Sequence, residues 1–228
     1  MSEALWSSVD DYLAGLLVPA DAMLDSALQS AAAAGLPEIQ VSPLQGKLLH
    51  LIARIRGARR ILEIGTLAGY STIWLARALP ADGQLITLEA EPKHAEVARA
   101  NIERAGLSGV VEIRIGRAIE ALPRLASEGT GPFDLVFIDA DKPGTPDYFT
   151  WALKLTHAGS IIIVDNVVRE GAVAAPAADD ASARAMRRVT EMMAADPRVE
   201  ATAIQTVGVK GYDGFALAVV RGNTGRSP

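Results

Sequence analysis

The chain has 228 residues, 50% of them hydrophobic and 21% charged, a globular composition of about one domain's size that excludes wholesale disorder. It contains no cysteine, which rules out disulfides, thiolate zinc sites, iron–sulfur clusters and cysteine nucleophiles together. Twenty-two basic against 27 acidic residues leave a net charge of −5, without the positive field of a generic nucleic-acid binder, and apolar runs such as Ser160–Val164 are far too short to span a bilayer.

Met1-Ser2-Glu3-Ala4-Leu5-Trp6 lacks the basic-then-apolar pattern of a secretory signal, so a cytoplasmic protein with neither nucleic-acid nor membrane partner is the expectation. Leu5, Val9, Tyr12, Leu13 and Leu16 recur at helical spacing until Pro19. A second helical run, Ala20 to Ala34, stops at Gly35. Ser42-Pro43 opens a third helix, striped by Leu44, Leu48, Leu51, Ile52 and Ile55.

After Gly57 short apolar runs alternate with helical patterns. Strands are predicted at Arg60 to Ile64, Gln84 to Leu88, Val110 to Ile115, Phe133 to Ile138 and Ser160 to Val164. Helices are predicted at Tyr70 to Leu79, Pro92 to Ala105, Ala118 to Leu125 and Pro146 to Leu155. This alternation predicts an α/β fold, a parallel sheet with helices on both faces. A helix from Ala181 to Ala195 follows, then strands Ala201 to Val207 and Phe215 to Val220 joined by Gly208 to Gly214. That link is too short for a crossover helix and predicts an antiparallel hairpin. The Ala-rich stretch Ala172 to Ala183 is the expected mobile loop and Gly222 to Pro228 a frayed tail. One domain is expected over 1–228, with a helical cap at 1–57, a core at 58–221 and the tail at 222–228.

Ligands of open α/β sheets bind beyond the carboxyl ends of the strands. The first strand ends in Glu63-Ile64-Gly65-Thr66-Leu67-Ala68-Gly69-Tyr70-Ser71. Two glycines in the turn allow close backbone approach, but Gly-x-x-x-Gly is not the dinucleotide fingerprint. Glu63 would oppose a pyrophosphate and suit a cationic ligand, such as a sulfonium or an α-ammonium group. Alternatively, Glu63 pairs with Arg59 or Arg60 and the glycines only make the turn.

Glu89, at the end of the second strand, stands where an acid accepts ribose hydroxyls. Gly116 and Ala118 could border a base, or simply turn the chain into the next helix. The fourth strand ends in Asp139-Ala140-Asp141-Lys142 and the fifth in Asp165-Asn166. Asp139, Asp165 and Asn166 offer oxygen ligands to a hard cation, Mg²⁺, Ca²⁺ or Mn²⁺; as an alternative they are acids capping helices. Lys142 could serve as a general base near such a cation, or be either a solvated lysine or one in a salt bridge to Asp141. His50, His94 and His157 do not cluster and read as structural or solvated.

These segments closely resemble the divalent-cation-dependent, S-adenosylmethionine-dependent O-methyltransferases, the group of catechol and caffeoyl-coenzyme A O-methyltransferases and their small bacterial relatives. The resemblance rests on Glu63-Ile64-Gly65-Thr66-x-x-Gly69-Tyr70-Ser71, Phe137-Ile138-Asp139-Ala140-Asp141-Lys142, Val164-Asp165-Asn166 and Gly211-Tyr212-Asp213-Gly214. It implies a Rossmann-like class I methyltransferase fold, seven strands in the order 3-2-1-4-5-7-6 with extra N-terminal helices. It implies a cofactor held against Val41, Glu63, Gly65, Thr66, Ser71, Glu89, Ala118 and Asp139. It implies a cation, most simply Mg²⁺, on Asp139, Asp165 and Asn166, with Lys142 as catalytic base beside Asp139. A small aromatic acceptor with two vicinal hydroxyls and a homodimer paired through the N-terminal helices are expected on the same ground. Arg117 departs from the family, standing where many relatives carry an acid beside the adenine, and Asp213 reads as a turn residue rather than an acidic substrate gate. A non-catalytic S-adenosylmethionine-binding protein and an NAD-linked oxidoreductase are the competing classes; the glycine spacing and Glu63 speak against the second.

Overall fold

A computed structural model describes residues 2–175 and 180–222. Three helices come first: α1 (Glu3–Leu17), α2 (Ala22–Ala33) and α3 (Pro43–Arg56). Local chemistry sets the limits of the third. Ser42 caps it by accepting from the Gln45 amide at 3.2 Å, Pro43 takes the first turn, and Gly57 ends it at φ +66°.

The alternating region follows as β1 (Arg60–Ile64), α4 (Tyr70–Ala76), β2 (Gln84–Glu89), α5 (Pro92–Arg104), β3 (Val111–Ile115), α6 (Ala118–Ser127), β4 (Phe133–Ile138), α7 (Thr145–Lys154) and β5 (Thr156–Asp165). The chain closes with α8 (Ala181–Ala195), β6 (Val199–Gly208) and β7 (Gly211–Val220). The seven strands form one sheet in the order β3-β2-β1-β4-β5-β7-β6. The first five strands pair in parallel, and β7 pairs antiparallel with both β5 and β6. The expected architecture and order are therefore both found.

The central strands β1, β2, β4 and β5 are largely apolar on both faces because both are covered. Leu62, Ile64, Ile86, Leu88, Val136, Ile138 and Val164 face one core with α6, α7 and α8. Their neighbours Ile61, Leu85, Leu135, Phe137 and Ile163 face the other, with α2 to α5. Such two-sided burial is worth about 2 kcal/mol for each large side chain, and it fixes the register that lines up the strand tips.

Three boundaries differ from expectation by more than two residues. Helix α4 stops at Ala76, three residues short of Leu79. Strand β5 starts at Thr156 rather than Ser160, across an irregularity in its pairing with β4. The final hairpin pairs as far as Gly208 with Gly211, so the expected seven-residue link shrinks to Val209-Lys210. Gly211 sits at φ +79° and permits that tight turn. Of the stretch expected to be a mobile loop, Ala172–Ala174 belong to a 3₁₀ turn (Arg169–Ala174) and Ala181–Ala183 to α8, while 176–179 lie outside the described residues, as does 223–228 of the expected tail. Among the described residues no helix is long and apolar enough to cross a membrane.

Candidate functional site

A cavity of about 680 Å³ lies over the tips of the parallel strands, within the range of small-molecule sites. Its floor is the turn after β1. Gly65 has φ +102°, and a Cβ there would stand 2.0 Å from the carbonyl oxygen of Asp139. Backbone bonds hold this turn against its neighbours: Gly65 N–H donates to Leu88 O at 3.0 Å and Asp139 N–H to Ile64 O at 2.9 Å. On its outer side Asn101, buried on α5, donates from Nδ2 to Ala68 O at 2.9 Å.

Glu89 stands at the β2 tip. Its Oε2 accepts from Thr66 N–H at 3.1 Å and Leu67 N–H at 2.8 Å, and its Oε1 from Glu91 N–H at 3.0 Å. A carboxylate offers about four acceptor positions, so these three bonds orient Glu89 and leave it capacity for a ligand hydroxyl. His94 Nδ1 lies 3.5 Å from Oε1 and also lines the cavity. The first turn of α5 brings His94 to the cavity wall.

Glu63 is not where the sequence reading placed it. It is fully buried and does not line the cavity. Neither Arg59 nor Arg60 pairs with it. Its oxygens instead accept from the hydroxyls of Ser71 at 2.7 Å, Thr87 at 2.7 Å and Thr72. Burial pushes its carboxyl up to about 7, against the pull of those hydroxyls and with a contribution from the charge of Asp139. Thr66 is likewise buried and off the wall: its hydroxyl bonds that of Thr87 at 2.6 Å. These two residues form a layer beneath the turn. Val41, Gly65, Ser71, Glu89, Ala118 and Asp139 do line the cavity, and so does the exposed Arg117.

The other end is built by the tips of β4 and β5. Ile138 stands opposite Val164 in the register, so Asp139 and Asp165 follow side by side. Lys142, in a 3₁₀ turn (Lys142–Gly144), donates from Nζ to Asp139 Oδ1 at 2.7 Å. Asp141 holds that turn rather than pairing with Lys142: it accepts from Gly144 N–H at 3.0 Å and the Tyr148 hydroxyl at 2.5 Å. Asp165 is only 5% exposed and lies just behind the cavity wall, with Oδ2 accepting from Gln45 Nε2 at 2.7 Å and Oδ1 from Asn166 N–H at 2.8 Å. Burial and the charge of Asp139 push the Asp165 carboxyl up to about 7. Asn166 sits at φ +58°, a region asparagine tolerates, and lines the cavity.

Asp213, on β7, fixes the loop that follows. Its Oδ1 accepts from Val168 N–H at 3.0 Å, Arg169 N–H at 2.9 Å and Gly214 N–H at 2.9 Å, so it anchors a loop instead of merely making a turn. Arg169, at φ +53°, is carried by that loop into the cavity wall.

Among the described residues no three His, Cys, Asp or Glu side chains gather as a metal-binding group, so a cation here would need an amide as its third ligand. The donors suit a hard cation: two carboxylates whose mutual repulsion is costly, and the Asn166 amide. Gln45, His94, Tyr148 and Arg169 were missed by sequence reasoning. No local pattern marks Gln45, which meets Asp165 only through the fold, or Arg169, which is held in place by Asp213 on β7.

Residues 18–219 match the family model described as O-methyltransferase. A protein named catechol O-methyltransferase from Niastella koreensis is 53% identical over 97% of this chain and 100% of its own. The crystal structure of an O-methyltransferase from Bacillus cereus in complex with SAH superposes with a TM-score of 0.95 at 55% identity, covering 96% of this chain and 100% of that one. The O-methyltransferase TomG from Streptomyces achromogenes, in complex with SAM, superposes with a TM-score of 0.94 at 55% identity, covering 97% and 100%.

Proposed function

This chain belongs to the O-methyltransferase family, and from that premise we propose that it transfers a methyl group from S-adenosylmethionine to one hydroxyl of a vicinal dihydroxy aromatic, with a divalent cation, most simply Mg²⁺, on Asp139, Asp165 and Asn166. The observation that carries this reading is the far end of the cavity, where oxygen donors from two adjacent strand tips meet the amine of Lys142.

Each residue has a task in this reading. Glu89, oriented by the turn's own amides, accepts the ribose hydroxyls. Gly65 lets the backbone approach the donor closely, and Val41, Ser71 and Ala118 shape its pocket. Glu63 acts from beneath by fixing the Ser71 hydroxyl, and Thr66 by presenting its amide to Glu89. Bound donor supplies an electrophilic carbon on sulfur, and a bound dication supplies the charge that favours a phenolate over a phenol. Lys142 accepts the hydroxyl proton at Nζ, the atom that Asp139 Oδ1 holds at 2.7 Å. Holding acceptor and donor in line can lower the barrier by about 7–11 kcal/mol.

The same reading pairs two copies into a homodimer through α1 and α3. Helix α1 has no buried residue, and Leu5, Tyr12 and Leu16 are exposed on it, as are Leu51 and Ile55 on α3. Sedimentation equilibrium tests it: a dimer mass is expected, and a monomer at micromolar concentration contradicts it. The methyl transfer is tested by incubating the protein with S-adenosylmethionine, Mg²⁺ and catechol. Monomethylated catechol in the mass spectrum is expected. Donor binding without product would mean a binding protein instead.

A further inference from the structure

One cationic group on the acceptor side of the cavity has no task in the reaction above. Arg169 lines the cavity wall and stands three residues past Asn166, on the segment that leaves the tip of β5. Its backbone is held left-handed by the bond from its amide to Asp213. Its guanidinium makes no hydrogen bond with any described residue. The nearest carboxylate oxygen, Asp213 Oδ2, is 3.8 Å from Nη1, too long for a charge-assisted hydrogen bond, and Nε is buried without a partner. Arg56 and Arg60 also bury an unpartnered Nε, but Arg56 bonds Asp134 and Arg60 bonds the Thr130 carbonyl, and neither lines the cavity. A buried donor left unmade is costly, and a guanidinium fork matches a carboxylate in geometry and charge.

We infer that Arg169 binds a carboxylate carried by the methyl acceptor, so that the preferred substrates are vicinal dihydroxy aromatic acids rather than neutral catechols. The inference rests on the methyl-transfer reading and adds a substrate class to it. The diol end of such a molecule would occupy the Asp139–Lys142–Asn166 corner, leaving its acid group to face the one cation there without a proton to accept.

The test compares 3,4-dihydroxybenzoate with its methyl ester, which keeps the ring and removes the charge. The unaltered enzyme is expected to show kcat/KM at least about tenfold higher for the acid, the scale of a charge-assisted hydrogen bond. Arg169→Asn, chosen because asparagine tolerates the left-handed backbone, should bring the ratio of acid to ester close to one. Arg169→Lys should keep part of the preference. Affinity for S-adenosylhomocysteine, measured by calorimetry on the same variants, should stay within about twofold, since charge-assisted bonds at a donor carboxylate would move it further. Equal kcat/KM for acid and ester in the unaltered enzyme, or the same ratio in Arg169→Asn, overturns the inference. So does lost S-adenosylhomocysteine affinity in Arg169→Asn, which would assign the guanidinium to the donor's carboxylate. No methylation of acid, ester or catechol would sink the methyl-transfer reading itself, a result distinct from equal rates.

Discussion

Gln45 donates from Nε2 to Oδ2 of Asp165 at 2.7 Å, joining two residues 120 positions apart in the chain. Because Asn166 N–H takes the other oxygen at 2.8 Å, the Asp165 carboxylate is aimed by two bonds before any ligand arrives. Groups that orient a ligating carboxylate typically contribute 10–100-fold to metal affinity. Gln45→Leu is therefore expected to weaken Mg²⁺ binding by about tenfold or more, measured by calorimetry, while S-adenosylhomocysteine affinity stays unchanged. Equal Mg²⁺ affinity in both proteins would show that Asp165 needs no such support.

The contact also marks what the sequence could and could not reveal. The alternation of strands and helices, the closing hairpin and the placement of functional groups at strand tips were legible, since two-sided burial and short connections leave few alternatives, whereas the seven-strand order came from the family resemblance alone. Glu63 was legible as unusual but not as buried: its hydroxyl partners Thr72 and Thr87 lie on different elements, and only the register brings them together. Gln45 and Arg169 were invisible for a related reason. One is a polar residue in an otherwise ordinary helix start, and the other gains its meaning from Asp213 on a strand that follows much later.

Gly65 tests the close approach of β1 and β4. Gly65→Ala would place a methyl group 2.0 Å from Asp139 O at a φ of +102°, so one strand tip must move. A loss of about 2 kcal/mol or more in stability is expected, with at least tenfold weaker S-adenosylhomocysteine binding. Gly106→Ala is the control. It shares a positive φ of +73° but meets nothing within 4 Å, and should cost only about 1 kcal/mol without changing ligand affinity. Similar urea midpoints for the two variants would contradict the account.

Glu63 predicts a pH dependence of stability. Its folded-state carboxyl is raised from 4.5 to about 7 by burial, so between those values the folded protein holds a proton that the unfolded chain releases. The sign follows: the protonated carboxyl's contribution is fully present below pH 4.5 and is lost as pH rises through 7. The span corresponds to about 3 kcal/mol. Asp165 acts in the same direction, so the effect is isolated by difference. The stability of the natural protein relative to Glu63→Gln should fall by a few kcal/mol from pH 5 to pH 8 in urea titrations. A pH-independent difference would mean that the three hydroxyls hold Glu63 ionised throughout.

Lys142 pairs with Asp139 at 2.7 Å and is half-buried at the acceptor end. Lys142→Met is expected to lower kcat for catechol by about 10²–10⁴-fold, the usual worth of a positioned acid–base group. Donor affinity should be retained. A kcat within threefold of the natural protein's would remove Lys142 from the proton path.

The central claim is that Asp139, Asp165 and Asn166 share a divalent cation beside the reacting hydroxyl, and the most direct measurement is turnover of catechol after the protein has been stripped with chelator and titrated back with Mg²⁺. The expected result is no methyl product without the cation and full recovery on its return, with Asp165→Ala folded, able to bind S-adenosylhomocysteine and unresponsive to added Mg²⁺. Undiminished methylation by the stripped protein in excess chelator would contradict it.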